Sequence, residues 1–262
     1  MTPSATAPVL FISHGAPTFA VEPGALGPLL RSLGTRLPEL RAVLVVSPHW
    51  QTRDVTVMTT ALPATVHDFG GFPPELYALQ YPAAGQPELA KEAARLLTKA
   101  GLTALCDARR GLDHGAWVPL MHLLPEASVP VFQVSMPHNL TTQRALELGQ
   151  ALAPLRSQGV LMVASGSLTH NLHDYRQSGA PTASYAEEFA AWVRTAVLTK
   201  GNMQLLDYRA QAPHAQRAHP SEEHFLPLLV AIGAATEVDA VTVLQGGISN
   251  GALSMESYAW GL

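Results

Sequence analysis

Six short, predominantly apolar runs, β-branched or leucine-rich, punctuate the chain at Val9–Ile12, Ala42–Ser47, Leu102–Cys106, Val129–Val134, Val160–Ala164 and Val241–Leu244. Near-continuous apolar runs of this kind suit strands buried on both faces, because a strand with one wet face alternates apolar and polar residues instead. Between them lie longer stretches with apolar residues spaced to bury one helical face, at Pro87–Lys99, Thr141–Arg156, Ser184–Thr199 and Ser221–Ala234. Several open on Pro, Ser or Thr in a capping position. The alternation predicts an α/β fold: a single domain over residues 1–262 with a mostly parallel central sheet flanked by helices. Pro and Gly cluster at Gly70-Gly-Phe-Pro-Pro74 and Tyr81-Pro-Ala-Ala-Gly85, which predicts a structured loop there. There is no repeat, low-complexity tract or clear linker.

Composition narrows the possible partners. At 262 residues, 47% of them hydrophobic, the chain is long enough to bury one large core. Only 14% are charged and the net charge is −4, so no basic surplus exists to meet nucleic-acid phosphates or an anionic membrane. The segment Met1–Pro8 lacks the cationic start and apolar run of a signal peptide, and no stretch is long enough to span a bilayer. A cytoplasmic location is expected, with oligomeric state left open. Cys106 is the one cysteine, which excludes an internal disulfide and a thiolate cluster; ending an apolar run, it reads as a buried, inert thiol. The 11 histidines are many beside 16 Lys plus Arg, and imidazole is the commonest protein ligand for transition metals.

Ligands of open α/β sheets bind beyond the carboxyl ends of strands. Three histidines occupy that position: His14 after Val9–Ile12, His49 after Ala42–Ser47, and His170 after Val160–Ala164. Gly15 and Pro17, Pro48, and Gly166 are expected to end each strand nearby. His224 is a fourth candidate, placed by a Ser221 cap in the first turn of a helix, where Glu222 and Glu223 read as acids favourable to the helix start. His219 reads as facing solvent or standing behind the ligands. Any one of these imidazoles has a plain structural reading as a hydrogen-bonded histidine. Together, neutral imidazoles leave a divalent ion its full charge and open positions, as a catalytic metal needs.

The segments Ser13-His-Gly-Ala-Pro17, Ser47-Pro-His-Trp50, His67-Asp-Phe-Gly-Gly-Phe-Pro73, Gln80-Tyr-Pro-Ala83, Gly111-Leu-Asp-His-Gly-Ala-Trp117, Ser165-Gly-Ser-Leu-Thr-His-Asn-Leu172 and Glu223-His-Phe-Leu-Pro-Leu228 stand in a telling order. Through them the chain resembles, over nearly its whole length, the DOPA 4,5-dioxygenase type of the class III extradiol aromatic ring-opening dioxygenases. The resemblance implies His14, His49 and His224 as metal ligands. It implies His170 as an acid/base or additional ligand, and His114 in the pocket, suited to stabilise a developing oxyanion. The family commonly has Ser where Ala16 stands and Met where Thr18 stands. Relatives outside this branch complete the site with a carboxylate, whereas the matching segment here supplies His224.

Trp50, Asp68, Phe69 and Tyr77 are candidates to contact the substrate, since an aromatic loop is a natural wall for a flat ring. Their plainer reading is loop order for Asp68, Phe69 and Tyr77, and core packing for Trp50 as for Trp117. The activity the resemblance implies is cleavage of a catechol, DOPA-like compounds included, by O2 at Fe(II). Zn(II) suits the same imidazoles but has no redox chemistry. A zinc-dependent hydrolase and a non-catalytic metal- or ligand-binding protein on the same fold are therefore the alternatives.

Overall fold

The computed structural model describes residues 6–176 and 179–262, so the first five residues of the segment read as lacking a signal peptide lie outside it. In chain order the strands are β1 Val9–Ser13, β2 Ala42–Thr52, β3 Val55–Met58, β4 Ala104–Asp107, β5 Val131–Pro137, β6 Val160–Gly166, β7 Val241–Leu244, β8 Ile248–Ser249, β9 Leu253–Ser254 and β10 Ser257–Trp260. The helices are α1 Leu26–Gly34, α2 Pro74–Ala78, α3 Pro87–Lys99, α4 His114–Leu123, α5 Thr142–Leu152, α6 Ser184–Leu198, α7 Asn202–Leu206, α8 Tyr208–Gln211, α9 Ala215–Ala218 and α10 Leu226–Ala234.

Eight strands form one sheet in the order β4-β3-β5-β2-β6-β1-β10-β7, and β8 and β9 form a separate pair. The four central strands, β5-β2-β6-β1, are parallel throughout. At one edge β10 runs antiparallel to β1 and to β7; at the other, β3 opposes β5 and is parallel to β4. Every residue of β1 and of β6 is buried, which is why both read as unbroken apolar runs. Helix α4 packs on β2 and β6 and carries α1, whereas α10 packs on β1, β2 and β6 and carries α5. Among the described residues no helix is long and apolar enough to cross a membrane.

The expected mostly parallel α/β sheet is thus present, with departures that have local causes. Strand β2 does not end at Pro48 but runs on to Thr52, its pairing with β5 jumping from Val46 opposite Val134 to Gln51 opposite Met136. A bulge accommodates a proline that has no N–H for the ladder. Helix α10 starts at Leu226 rather than Ser221. Pro227 tolerates only the first turn, because deeper in a helix its ring would clash with the carbonyl four residues back. Ser221 accordingly caps nothing and hydrogen-bonds Glu223 instead. Cys106 is exposed, not buried, because β4 is an edge strand; its neighbour Leu105 is half in solvent as well.

Candidate metal centre

Adjacency of β2, β6 and β1 in the sheet brings the segments that follow them to one edge. His14 directly follows β1, held by its N–H donating to the Gly166 carbonyl at 2.9 Å, which continues the β1–β6 register. Gly15 then turns the chain at φ +61°, where a side chain would also strike Met255. His49 projects from the β2 bulge. His114 is the first residue of α4, and His224 lies in the turn before α10. His170 stands four residues beyond β6, its N–H donating to the Ala218 carbonyl at 2.8 Å. The rings of His14, His49 and His224 form a near-equilateral triangle, with centroid separations of 5.0, 5.4 and 5.1 Å.

Hydrogen bonds set which nitrogen of the His14 and His224 rings carries the proton. Ser165 Oγ donates its single hydrogen to the Gly115 carbonyl. It therefore accepts from His14 Nδ1–H at 2.9 Å, leaving Nε2 of His14 as a lone pair. Glu223 Oε1 accepts from His224 Nδ1–H at 3.0 Å, and the buried Nε2 of His224 has no partner among the described residues. His49 Nε2 sits 3.1 Å from His14 Nε2, while its Nδ1 is 3.9 Å from Asp68 Oδ2. Three Nε2 atoms thus face one small space, and one nitrogen from each ring lies within 4.8 Å of the others. An orphaned buried lone pair beside two converging nitrogens, with the His14 and His224 rings each steadied by an oxygen behind it, is what a metal ion would satisfy.

The electrostatics agree with neutral ligands. Burial, reinforced by the neighbouring imidazoles, holds His14 and His224 well below the ordinary histidine value. His49 is pushed down to about 4 by burial and by His114, against the pull of Asp113 and Asp68. Burial likewise lowers His170. Asp68 behaves oppositely: burial pushes its carboxyl up, but His114 donates both its backbone N–H at 2.9 Å and its ring Nδ1–H at 3.0 Å, and the carboxyl comes down to about 2. Gly115, next in the chain, leaves the room His49 needs, since a Cβ there would lie 2.9 Å from its ring.

A cavity of about 530 Å³ opens beside this cluster, lined by His14, His49, His114, His170 and His224 together with Phe69 and other apolar residues. Five histidines singled out in the sequence therefore meet at one place. Phe69 forms a wall whose edge meets His114 at 5.6 Å and 89°. Asp68 stands behind His114 rather than in the lining. Tyr77 packs against Phe69 at 5.2 Å and is not a lining residue. Neither is Trp50, which is buried under the Arg110 guanidinium at 5.1 Å. Trp117 is a core residue whose Nε1–H donates to the Val66 carbonyl. His219 does not face solvent: it is fully buried among Phe189, Tyr208 and Phe225, with Nε2 on the Leu168 carbonyl. Two residues were missed as contributors, Ser165 and Glu223, and Glu223 holds a histidine rather than a helix start. Its place directly before His224 was the one available hint.

Sheet and pocket together define an α/β protein with a histidine cluster at its strand ends able to hold one metal ion. Residues 9–253 match the family described as the catalytic LigB subunit of aromatic ring-opening dioxygenase, and the chain belongs to that family of oxidoreductases. It is 39% identical over 254 residues to the 4,5-DOPA dioxygenase extradiol of Beta vulgaris, covering 95% of this chain and 94% of the relative. It is 36% identical to the protein of the same name from Escherichia coli strain K12, over 95% of this chain and 93% of that one. A crystal structure of an uncharacterized protein from Escherichia coli K12 superposes with a TM-score of 0.80 at 30% identity, covering 97% of this chain and 99% of that one.

Proposed function

We propose that residues 1–262 form one catalytic domain that cleaves a catechol-type aromatic ring with O2 at a single Fe(II), held by His14, His49 and His224. The observation that carries this reading is the convergence of three Nε2 atoms, one of them buried without a partner, at the wall of a cavity the size of a small aromatic ligand. When bound, Fe(II) supplies a redox-active centre with open positions for the two catechol oxygens and O2. His170, kept neutral by burial, accepts a proton from a catechol hydroxyl and later returns one. Asp68, held ionised, accepts the ring Nδ1–H of His114 and so fixes that imidazole at the cavity wall, beside the oxygens that react. Phe69 and the apolar lining exclude water from the ring.

The same imidazoles suit Zn(II), which outranks Fe(II) in affinity and has no redox chemistry. Protein carrying zinc is expected to be silent until the metal is exchanged. The test is O2 uptake by anaerobically Fe(II)-reconstituted protein over a panel of catechols, DOPA included. O2-dependent formation of a yellow semialdehyde with iron but not zinc is expected. Hydrolysis without O2, or equal turnover with zinc, would overturn the assignment.

A further inference from the structure

We propose that the substrate is a catechol whose ring substituent is uncharged and apolar, and that the cavity discriminates against the zwitterionic side chain of an aromatic amino acid. This inference rests on the ring-cleavage reading. Apart from the imidazoles, the side chains that shape the cavity are Pro17, Phe69, Phe72, Leu172, Leu253 and Tyr175. Among the described residues no Lys, Arg, Asp or Glu lines it. Residues 177 and 178, outside the described set, are Gln and Ser and bring no formal charge.

The charges closest to the cavity are already engaged. Asp68 accepts twice from His114, and Glu223 accepts from His224 and Ser221. Arg110 donates to Asp113 behind His49. Arg176 follows the lining residue Tyr175, but its Nη1 donates to the carbonyls of His173 and Tyr175 at 3.0 and 2.9 Å, and Asp174 lies 3.9 Å from its Nη2. At the mouth, Leu172 leaves 65% of its surface in water two residues beyond His170. A single exposed leucine is ordinary. This one lines the cavity together with Phe69, Phe72 and Leu253, so an alkyl group on the ring would meet apolar side chains there. An ammonium and a carboxylate brought to the same wall would lose water and find no partner.

The deciding experiment compares 4-ethylcatechol with DOPA in two ways: kcat/KM of the Fe(II)-loaded protein from O2 uptake, and binding to the redox-silent Zn(II)-loaded protein by calorimetry. Because one methylene in an apolar pocket changes discrimination by roughly tenfold or more, at least about a tenfold preference for 4-ethylcatechol is expected in both. Leu172→Arg, which places a cation at the rim, should narrow the ratio by improving DOPA. Arg176→Ala should leave the ratio where it was. DOPA equal or preferred, or a selective loss of DOPA turnover in Arg176→Ala, would overturn the inference while leaving ring cleavage intact. Preference in the zinc measurement without O2-dependent turnover of any catechol would overturn ring cleavage and leave the ligand class standing. Binding of neither compound would overturn both.

Discussion

The imidazole of His170 lies flat against that of His224, with ring centroids 3.5 Å apart and planes within 6° of parallel. A nitrogen lone pair lies in the plane of its own ring. An atom held in the plane of His224 is therefore out of the plane of His170 by about the stacking distance, a poor position for both rings to ligate one ion. His170 does share a cluster with Glu223 and His224, but not with His14 and His49. The arrangement supports proton transfer over coordination.

His170→Ala is accordingly expected to retain most of its metal and to lose roughly 10²–10⁴-fold in kcat per bound iron, the usual contribution of a positioned acid/base. Metal analysis beside O2-uptake kinetics makes the comparison. Unchanged turnover per iron would remove the assigned role, and a parallel fall in metal content would make His170 a ligand.

Replacing a proposed ligand should have the opposite signature. His14→Ala, His49→Ala and His224→Ala should each lose metal sharply while keeping the circular dichroism spectrum of the parent, because the sheet that presents them is built from apolar strands. Full occupancy in any one variant would strike that residue from the set.

The oxygens behind the rings can be tested by affinity alone. Ser165→Ala and Glu223→Ala should weaken metal binding by roughly 10–100-fold, since each removes the acceptor that fixes the tautomer and aim of a ligand. Glu223→Gln keeps an acceptor at the same reach and should be milder than Glu223→Ala. Titration of the metal-free protein with zinc in a competing chelator measures all three, and an unaltered affinity in Glu223→Ala would reduce that carboxylate to a bystander.

Far from the cavity, Arg156 is buried and donates to the carbonyls of Ala7 and Ala234 and, at 2.7 Å, to Asp239 Oδ2. Burial raises the Asp239 carboxyl, but Arg156 and the Thr236 N–H outweigh it, and its pKa falls below the ordinary value. A carboxyl depressed in the fold contributes stability above its unfolded value, about 4, that disappears as pH falls through the folded one. Urea midpoints should therefore drop on acidification less steeply in Asp239→Asn than in the parent. Arg156→Ala should cost about 3–5 kcal/mol at neutral pH, because it strands a partly buried carboxylate. Parallel pH profiles for Asp239→Asn and the parent would deny the pair its part.

The parallel core was legible because strands covered on both faces need near-continuous apolar runs; β1, β2 and β6 have them, and β5 is interrupted only by the buried Gln133 and Ser135. Strands β3 and β10 were not. Ser257-Tyr-Ala-Trp260 mixes polar and aromatic residues in a short segment, and only its position between β1 and β7 buries it. Within the site, His14, His49 and His170 could be placed by the strands they follow, whereas His114 entered only through the family resemblance. His224 was noticed for the wrong local reason, a helix start at Ser221 that Pro227 moves forward. A serine inside a strand has no spacing that reveals its function, so Ser165 stayed hidden until its two hydrogen bonds could be seen. Trp50 and Tyr77 show the converse: sequence proximity to a histidine or to Phe69 did not decide which way an aromatic ring would face.

Strand β1 is flanked in the sheet by β10, whose residues lie far along the sequence. Ser13, the residue before His14, donates its backbone N–H to Ser257 Oγ, 244 positions along the chain, and its hydroxyl hydrogen to the Glu256 carbonyl. His14 itself must then wait for His224 before the triangle of nitrogens exists. Strand β10 completes the antiparallel side of β1, and β6 the parallel side, so the strand that presents His14 draws its support from residues far along the sequence. The three proposed ligands therefore converge only when residues from distant parts of the chain have folded together, which makes the site a long-range product of the fold.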